Sequence, residues 1–162
     1  MAKKLQRICQ MDSVIYEDNP RYDVWLKGIM VLPVFFILIG IYYLFTAQVE
    51  AAIGLFATAL LMGAIYWAIF PRKYQILDSK IRIILGGQFS FNVPFDNLET
   101  AKEPEGVSLG INFATTFMSQ HVVEIRRKKG MKVNITPSNR DLFLENLNKA
   151  IFDWRRNNIK GP

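Results

Sequence analysis

Between Gly28 and Pro71 the chain carries one charged residue, Glu50. Two uncharged runs, residues 28–49 and 51–71, flank it. Each is about twenty residues, the length of helix that crosses a ~30 Å hydrocarbon core. As one helix the combined stretch is far too long for a single crossing, so two spans are expected. Thr46-Ala47-Gln48-Val49-Glu50 supplies the polar break. Trp25, Tyr42, Tyr43, Tyr66 and Trp67 lie near the span ends, where amphipathic rings favour the membrane interface. Pro33 comes early in the first span, where it disturbs the helix least. A signal peptide fits poorly, because the first run is too long and a second follows at once. A buried hairpin of a soluble protein fits poorly too, since core helices rarely lack charge for so long.

Basic residues set the expected orientation. Lys3, Lys4, Arg7, Arg21 and Lys27 precede the first span, and Arg72 and Lys73 follow the second. The connecting loop holds no Lys or Arg. Both termini are therefore expected in the cytoplasm, with the chain a multi-pass protein of the cytoplasmic (inner) membrane. Trp25, Lys27, Arg72 and Lys73 are the expected juxtamembrane anchors. Cys9 is the single cysteine, which excludes an intrachain disulfide framework and agrees with a reducing compartment. Nothing ionisable lies deep in either span, and ion pathways and proton relays need such groups. Small residues at four-residue spacing, Gly54 and Thr58, Ala59 and Gly63, Ala64 and Ala68, permit close helix contact. Packing of the hairpin on itself explains them more simply than a dimer face does.

From Lys73 onward the apolar pattern alternates. Tyr74 and Ile76 lead to an Asp78-Ser79 turn, then Ile81, Ile83 and Leu85, then Gly86-Gly87, then Phe89, Phe91 and Val93. This is the pattern of half-buried antiparallel strands joined by hairpins. A weaker strand covers residues 97–102, and Glu103-Pro104-Glu105-Gly106 is a turn cluster. Val107 to Phe113 alternate again, and residues 114–120 read as a loop. Val123 and Ile125, then Met131, Val133 and Ile135, flank a bend at Lys129-Gly130. Ser138 with Asp141 resembles a capping box, so a helix is expected to start there. Phe143, Leu147, Ala150, Ile151 and Trp154 form its apolar stripe.

Six or seven antiparallel strands closed by one amphipathic C-terminal helix is the order of a pleckstrin-homology-type (PH-like) barrel. In that architecture the helix plugs the open corner between two sheets. The expected fold is thus membrane-anchored α+β. Residues 1–24 form an N-terminal segment, 25–71 the transmembrane hairpin, 72–157 the PH-like domain and 158–162 a tail.

Residues 73–151 also resemble a bacterial pleckstrin-homology (bPH) domain. The resemblance is carried by Tyr74-Gln75-Ile76-Leu77-Asp78, by residues 81–86, by Val93-Pro94-Phe95-Asp96-Asn97-Leu98-Glu99, and by residues 133–143 around Pro137. The preceding hairpin and the segment Val14-Ile15-Tyr16-Glu17-Asp18-Asn19-Pro20 extend it over most of the chain. It implies one or two spans before the barrel and no shared catalytic residues. Lys80 and Arg82 stand where eukaryotic phosphoinositide-binding PH domains place a basic cluster. Their turn, Asp78-Ser79, is short and acidic, so phosphoinositide binding is not carried over.

Catalysis needs a nucleophile with a base, a carboxylate pair in a cleft, or a metal. His121, the one histidine, has no serine or cysteine partner by spacing, and Cys9 has no companion. Asp96, Glu99, Glu103 and Glu105 read as turn and surface carboxylates, and Gly86-Gly87 lacks the Lys-Ser/Thr of a phosphate loop. No enzyme activity, cofactor or metal is expected. Arg126, Arg127, Lys128, Lys129 and Lys132 surround one hairpin tip. Each cation near an anionic leaflet contributes about 1 kcal/mol, but charged tips also blunt sheet edges. The net charge of +6 permits nucleic acid, yet no recognition motif accompanies it. Expected partners are membrane lipids and another membrane or cytoplasmic protein, with strand addition at a sheet edge one mode. The expected role is a non-catalytic interaction or scaffold module, an accessory subunit of a membrane complex. The alternative is a sensor of anionic lipid or envelope state acting through the basic hairpin. A lipid-modifying enzyme is the third and weakest reading.

Overall fold

The computed structural model describes residues 13–87, 89–104, 110–116 and 121–159. Lys3, Lys4, Arg7 and Cys9, the turn residues Glu105 and Gly106, the alternation at 107–109, part of the 114–120 loop and the end of the tail lie outside them. Strand β1 (Val14–Asp18) comes first, followed by helices α1 (Val24–Phe45) and α2 (Val49–Ile69). Then come β2 (Lys73–Leu77), β3 (Lys80–Ile84), β4 (Ser90–Pro94), a single 3-10 turn (Phe95–Asn97) and β5 (Leu98–Lys102). β6 (Ile111–Asn112), β7 (Val123–Arg127), β8 (Val133–Ile135) and helix α3 (Arg140–Ile159) complete the chain.

Helices α1 and α2 have 22 and 21 residues, which is about 33 and 31 Å of helix. Both are long and apolar enough to cross a membrane. Their most apolar windows are only 6% and 11% buried, whereas a soluble core helix hides its apolar face. The polar break forms the connection expected of it. Ala47 adopts φ 57°, and the N–H of Gln48 bonds the Tyr43 carbonyl at 3.0 Å. These bonds satisfy the last carbonyls of α1 in the manner of a left-handed C-terminal cap.

The helices meet through small residues, though not at all of the expected ones. Gly40 on α1 and Ala52 and Ala59 on α2 are buried. A methyl group on Gly40 would lie 2.8 Å from the Phe56 ring. Ala52 and Ala59 stand seven residues apart, two turns on one face. Gly54 and Gly63 face open space instead, and the Thr58 hydroxyl bonds the Gly54 carbonyl of its own helix at 2.8 Å.

Two four-stranded sheets follow, in the order β1-β2-β3-β4 and β5-β7-β8-β6. All pairings in the first are antiparallel. Among the described residues there are thus eight strands rather than six or seven, and two differ in kind from expectation. β1 belongs to the sheet, with Asp18 opposite Tyr74, instead of lying in a separate N-terminal segment. β6 pairs parallel to β8, where an antiparallel neighbour was expected. A two-residue strand reached by a loop is not bound to the direction a tight hairpin imposes.

One core joins the sheets and the helix. Tyr74, Ile76, Ile81, Ile83 and Val93 come from the first sheet, and Leu98, Val123, Ile125, Val133 and Ile135 from the second. Phe143, Leu147, Ala150 and Ile151 of α3 close it. The start of α3 corrects the expected capping box. Asn139 is the cap, its Oδ1 accepting from the Leu142 N–H at 3.2 Å. The Ser138 hydroxyl instead donates to the Asn19 carbonyl at 2.9 Å. Ser138 therefore ties the chain ahead of α1 to the start of α3.

Tyr74 is fully buried. Its hydroxyl donates to the Phe113 carbonyl at 3.1 Å and accepts from the Thr136 N–H at 3.4 Å. Burial pushes its pKa well above the ordinary phenol value. The neutral form is favoured in the folded state, so this stability is full below the unfolded value of about 10 and is lost as pH rises past it. In an alkaline titration followed by circular dichroism, Tyr74→Phe is expected to move the loss of sheet signal to higher pH. An unchanged onset would remove Tyr74 as its cause.

Candidate functional site

The β domain is fixed to the helix ends without a linker. Past α2, the Arg72 N–H donates to the Ile84 carbonyl at 2.7 Å. The Tyr22 hydroxyl, just ahead of α1, donates to the Pro71 carbonyl. The Asp23 N–H reaches the Thr115 carbonyl at 3.1 Å and the Arg21 N–H the Thr136 carbonyl at 2.9 Å. The Thr116 hydroxyl donates to Asp23 Oδ2 at 2.5 Å. Gly86 and Gly87, the expected hairpin turn, rest on Trp67 of α2, and Gly87 has φ 68°. The strand leaving α2 and the segment entering α1 are thus both held, by different sheets.

The four residues expected as juxtamembrane anchors divide between surface and seam. Trp25 is 41% exposed and Lys27 is exposed. Arg72 is exposed, with its guanidinium carbon 5.6 Å from the Trp67 ring centre. Lys73 is turned to β1, where its ammonium meets Glu17 at 2.6 Å. Hydrogen bonds from Lys73 and then from Gln75 hold the Glu17 carboxyl below the usual carboxylate range.

The five cations of the β7–β8 hairpin do not form one patch. Glu124, 2% exposed, accepts from Arg126 at 2.6 Å and lies 3.3 Å from the Lys132 ammonium. A buried carboxylate requires such partners. Arg127 points to the other face, as alternation along a strand demands. Its Nε donates to the Met131 carbonyl at 2.7 Å, and its guanidinium carbon lies 5.5 Å from the Phe91 ring centre. Lys128 and Lys129 remain at the exposed tip. Asn97 clamps that tip by accepting from both of their N–H groups, at 2.8 and 2.9 Å. Glu124 is the residue that the sequence reading missed. The available signal was its position two before Arg126, on the same strand face.

Two apolar clefts open beside the seam. The first, about 350 Å³, lies between the helices, lined by Met30 and Pro33 of α1 and Gly63, Tyr66 and Trp67 of α2, with Tyr22, Phe70 and Arg72 also bordering it. The second, about 430 Å³, lies where the end of α2 meets the β3–β4 turn, and Leu85, Phe89, Phe91 and Phe113 line it. Phe89 is 62% exposed there. Phe91, which lines this cleft, is the ring that the Arg127 guanidinium lies over.

The sheet edges leave little room for a guest strand. The pairing register slips at Ile15 of β1 and at Glu99 of β5. β4 ends at Pro94, and β6 has two residues. Register slips, prolines and short strands are the usual protection of edges. Among the described residues no three His, Cys, Asp or Glu side chains gather as metal ligands would, and His121 is half-buried. No family model matches the chain, and neither a curated protein nor a solved structure does.

Proposed function

We propose that this chain is a membrane-anchored, non-catalytic interaction module. Its two helices form a transmembrane hairpin of the cytoplasmic (inner) membrane. Its two sheets and α3 form a PH-like barrel of the bPH type, lying against the inner leaflet with both termini in the cytoplasm. The distribution of Arg21, Lys27, Arg72 and Lys73 against the lone Glu50 supports that orientation.

The observation that carries the reading is the locked seam. A lipid-localisation domain gains nothing from being bonded rigidly to its own anchor. A docking platform does, because a preorganised surface loses less entropy on binding. The second cleft, with exposed Phe89 at its rim, is the surface this platform offers to another protein. The alternative, an anionic-lipid sensor, is left with Arg127, Lys128 and Lys129, because Arg126 and Lys132 are engaged by Glu124.

Full-length protein extracted in mild detergent is expected to co-purify with a stoichiometric partner. Phe89→Asp, at an exposed position that folding does not need, is expected to release it. Recovery of a clean monomer from native membranes, or a partner retained by the Phe89→Asp variant, would count against this reading.

A further inference from the structure

We infer that the cleft between α1 and α2 holds one anionic phospholipid of the leaflet on which the β domain lies. The inference rests on the transmembrane reading of the two helices. The cleft exists because the helices touch elsewhere. They close at Gly40 against Phe56, with Ala52 and Ala59 buried. At Gly63 they do not, and a methyl group added there meets nothing within 4 Å. Gly63 stands six residues before the end of α2, about 9 Å of helix. That depth, counted from the seam, is where acyl chains begin beneath the headgroups. The lining is apolar, and at about 350 Å³ the space falls within the usual range of small-molecule sites.

Charge at the mouth selects the headgroup. Arg72 is exposed and, among the described residues, pairs with no carboxylate. Its aromatic neighbour, Trp67, leaves the guanidinium edge available for phosphate, the geometry arginine favours. Lys27 and Met30, three residues apart, are neighbours on the surface of α1. Lys27 accordingly stands one turn nearer the seam than Met30, which lines the cleft. Asp23, at the N-cap of α1, accepts from the Thr116 hydroxyl. Two cations above an apolar slot that opens onto the lipid-facing surface fit a phospholipid. A free phosphate would leave the slot unused, and a zwitterionic headgroup would set its own cation against Arg72 and Lys27.

The test uses the full chain in nanodiscs of phosphatidylcholine with a minor share of phosphatidylglycerol. Retained lipid is counted by native mass spectrometry after exchange into detergent. One retained phosphatidylglycerol per chain is expected. Gly63→Leu fills the slot with a better helix former and is expected to abolish retention. Arg72→Gln is expected to weaken retention about fivefold, the effect of one cation near an anionic lipid. Retention that is absent, or equal in all three proteins, or equal for phosphatidylcholine, overturns the inference. Alkaline carbonate extraction separates this failure from that of the underlying reading. A chain released by carbonate does not span the bilayer, whereas one that stays in the membrane without lipid preference lacks only this site.

Discussion

Phe143→Ala is expected to destabilise the β domain by roughly 3–5 kcal/mol, the cost of removing a fully buried ring. Phe143 is 0% exposed and is the first core residue of α3. Its ring lies edge-on to Tyr16 and Tyr74, with centroids 6.2 and 6.4 Å away. Those two tyrosines belong to paired strands, β1 and β2, and β1 is also held through Asn19 by Ser138. The ring therefore joins the helix to β1, a strand that precedes the apolar hairpin. Its loss leaves a void that strand ladders cannot collapse to fill. In detergent, the thermal midpoint of the β domain is expected to fall by more than about 12 °C. Phe143→Leu is expected to recover most of this. A midpoint unchanged in the alanine variant would mean that α3 does not close the core.

Gly86→Ala is the second large effect, and its origin is opposite: too much matter rather than too little. A methyl group there would lie 1.4 Å from the Trp67 carbonyl oxygen and 2.5 Å from its carbon. The obstacle is helix backbone, so no side-chain rotation relieves it. The β3–β4 turn must lift from α2, at about 3 kcal/mol or more, the upper end for overpacking. The consequence is local. Hydrogen exchange is expected to rise at Arg72 and Leu85, whose N–H groups bond Ile84 and Phe89 in this region. The β7–β8 ladder is expected to stay protected. On the proposed function, the variant is also expected to lose its partner, because a loosened turn no longer presents Phe89. Unaltered exchange at residues 72 and 85 would show that the turn does not rest on the helix.

How much of this was legible depends on the range of the interaction. The helices were plain because charge is absent over two consecutive runs, and their turn because polar residues interrupt them. β2, β3, β7 and α3 announced themselves by alternation or by a helical stripe, both properties of neighbouring residues. β1 did not. Five residues with Glu17 and Asp18 among them carry a weak strand signal, and their partner strand begins 55 residues later, across the hairpin. The cap of α3 was misplaced by one residue because Ser138 and Asn139 are both good caps. The contact that decides between them, Asn19, is remote in sequence.

The candidate site shows the same division. Five cations near one bend looked like a single patch because their separation onto two faces depends on register, and because buried Glu124 claims two of them. Sequence alone determined the apolar hairpin, the β domain with its closing helix, and the basic flanks, since each follows from local periodicity and charge. The tertiary structure alone decided that β1 belongs to the sheet and that the domain is bonded to the apolar hairpin. It also decided that clefts lie beside Gly63 and at the β3–β4 turn. Cavities and seams are made where distant segments fail or manage to touch, and no local pattern encodes that.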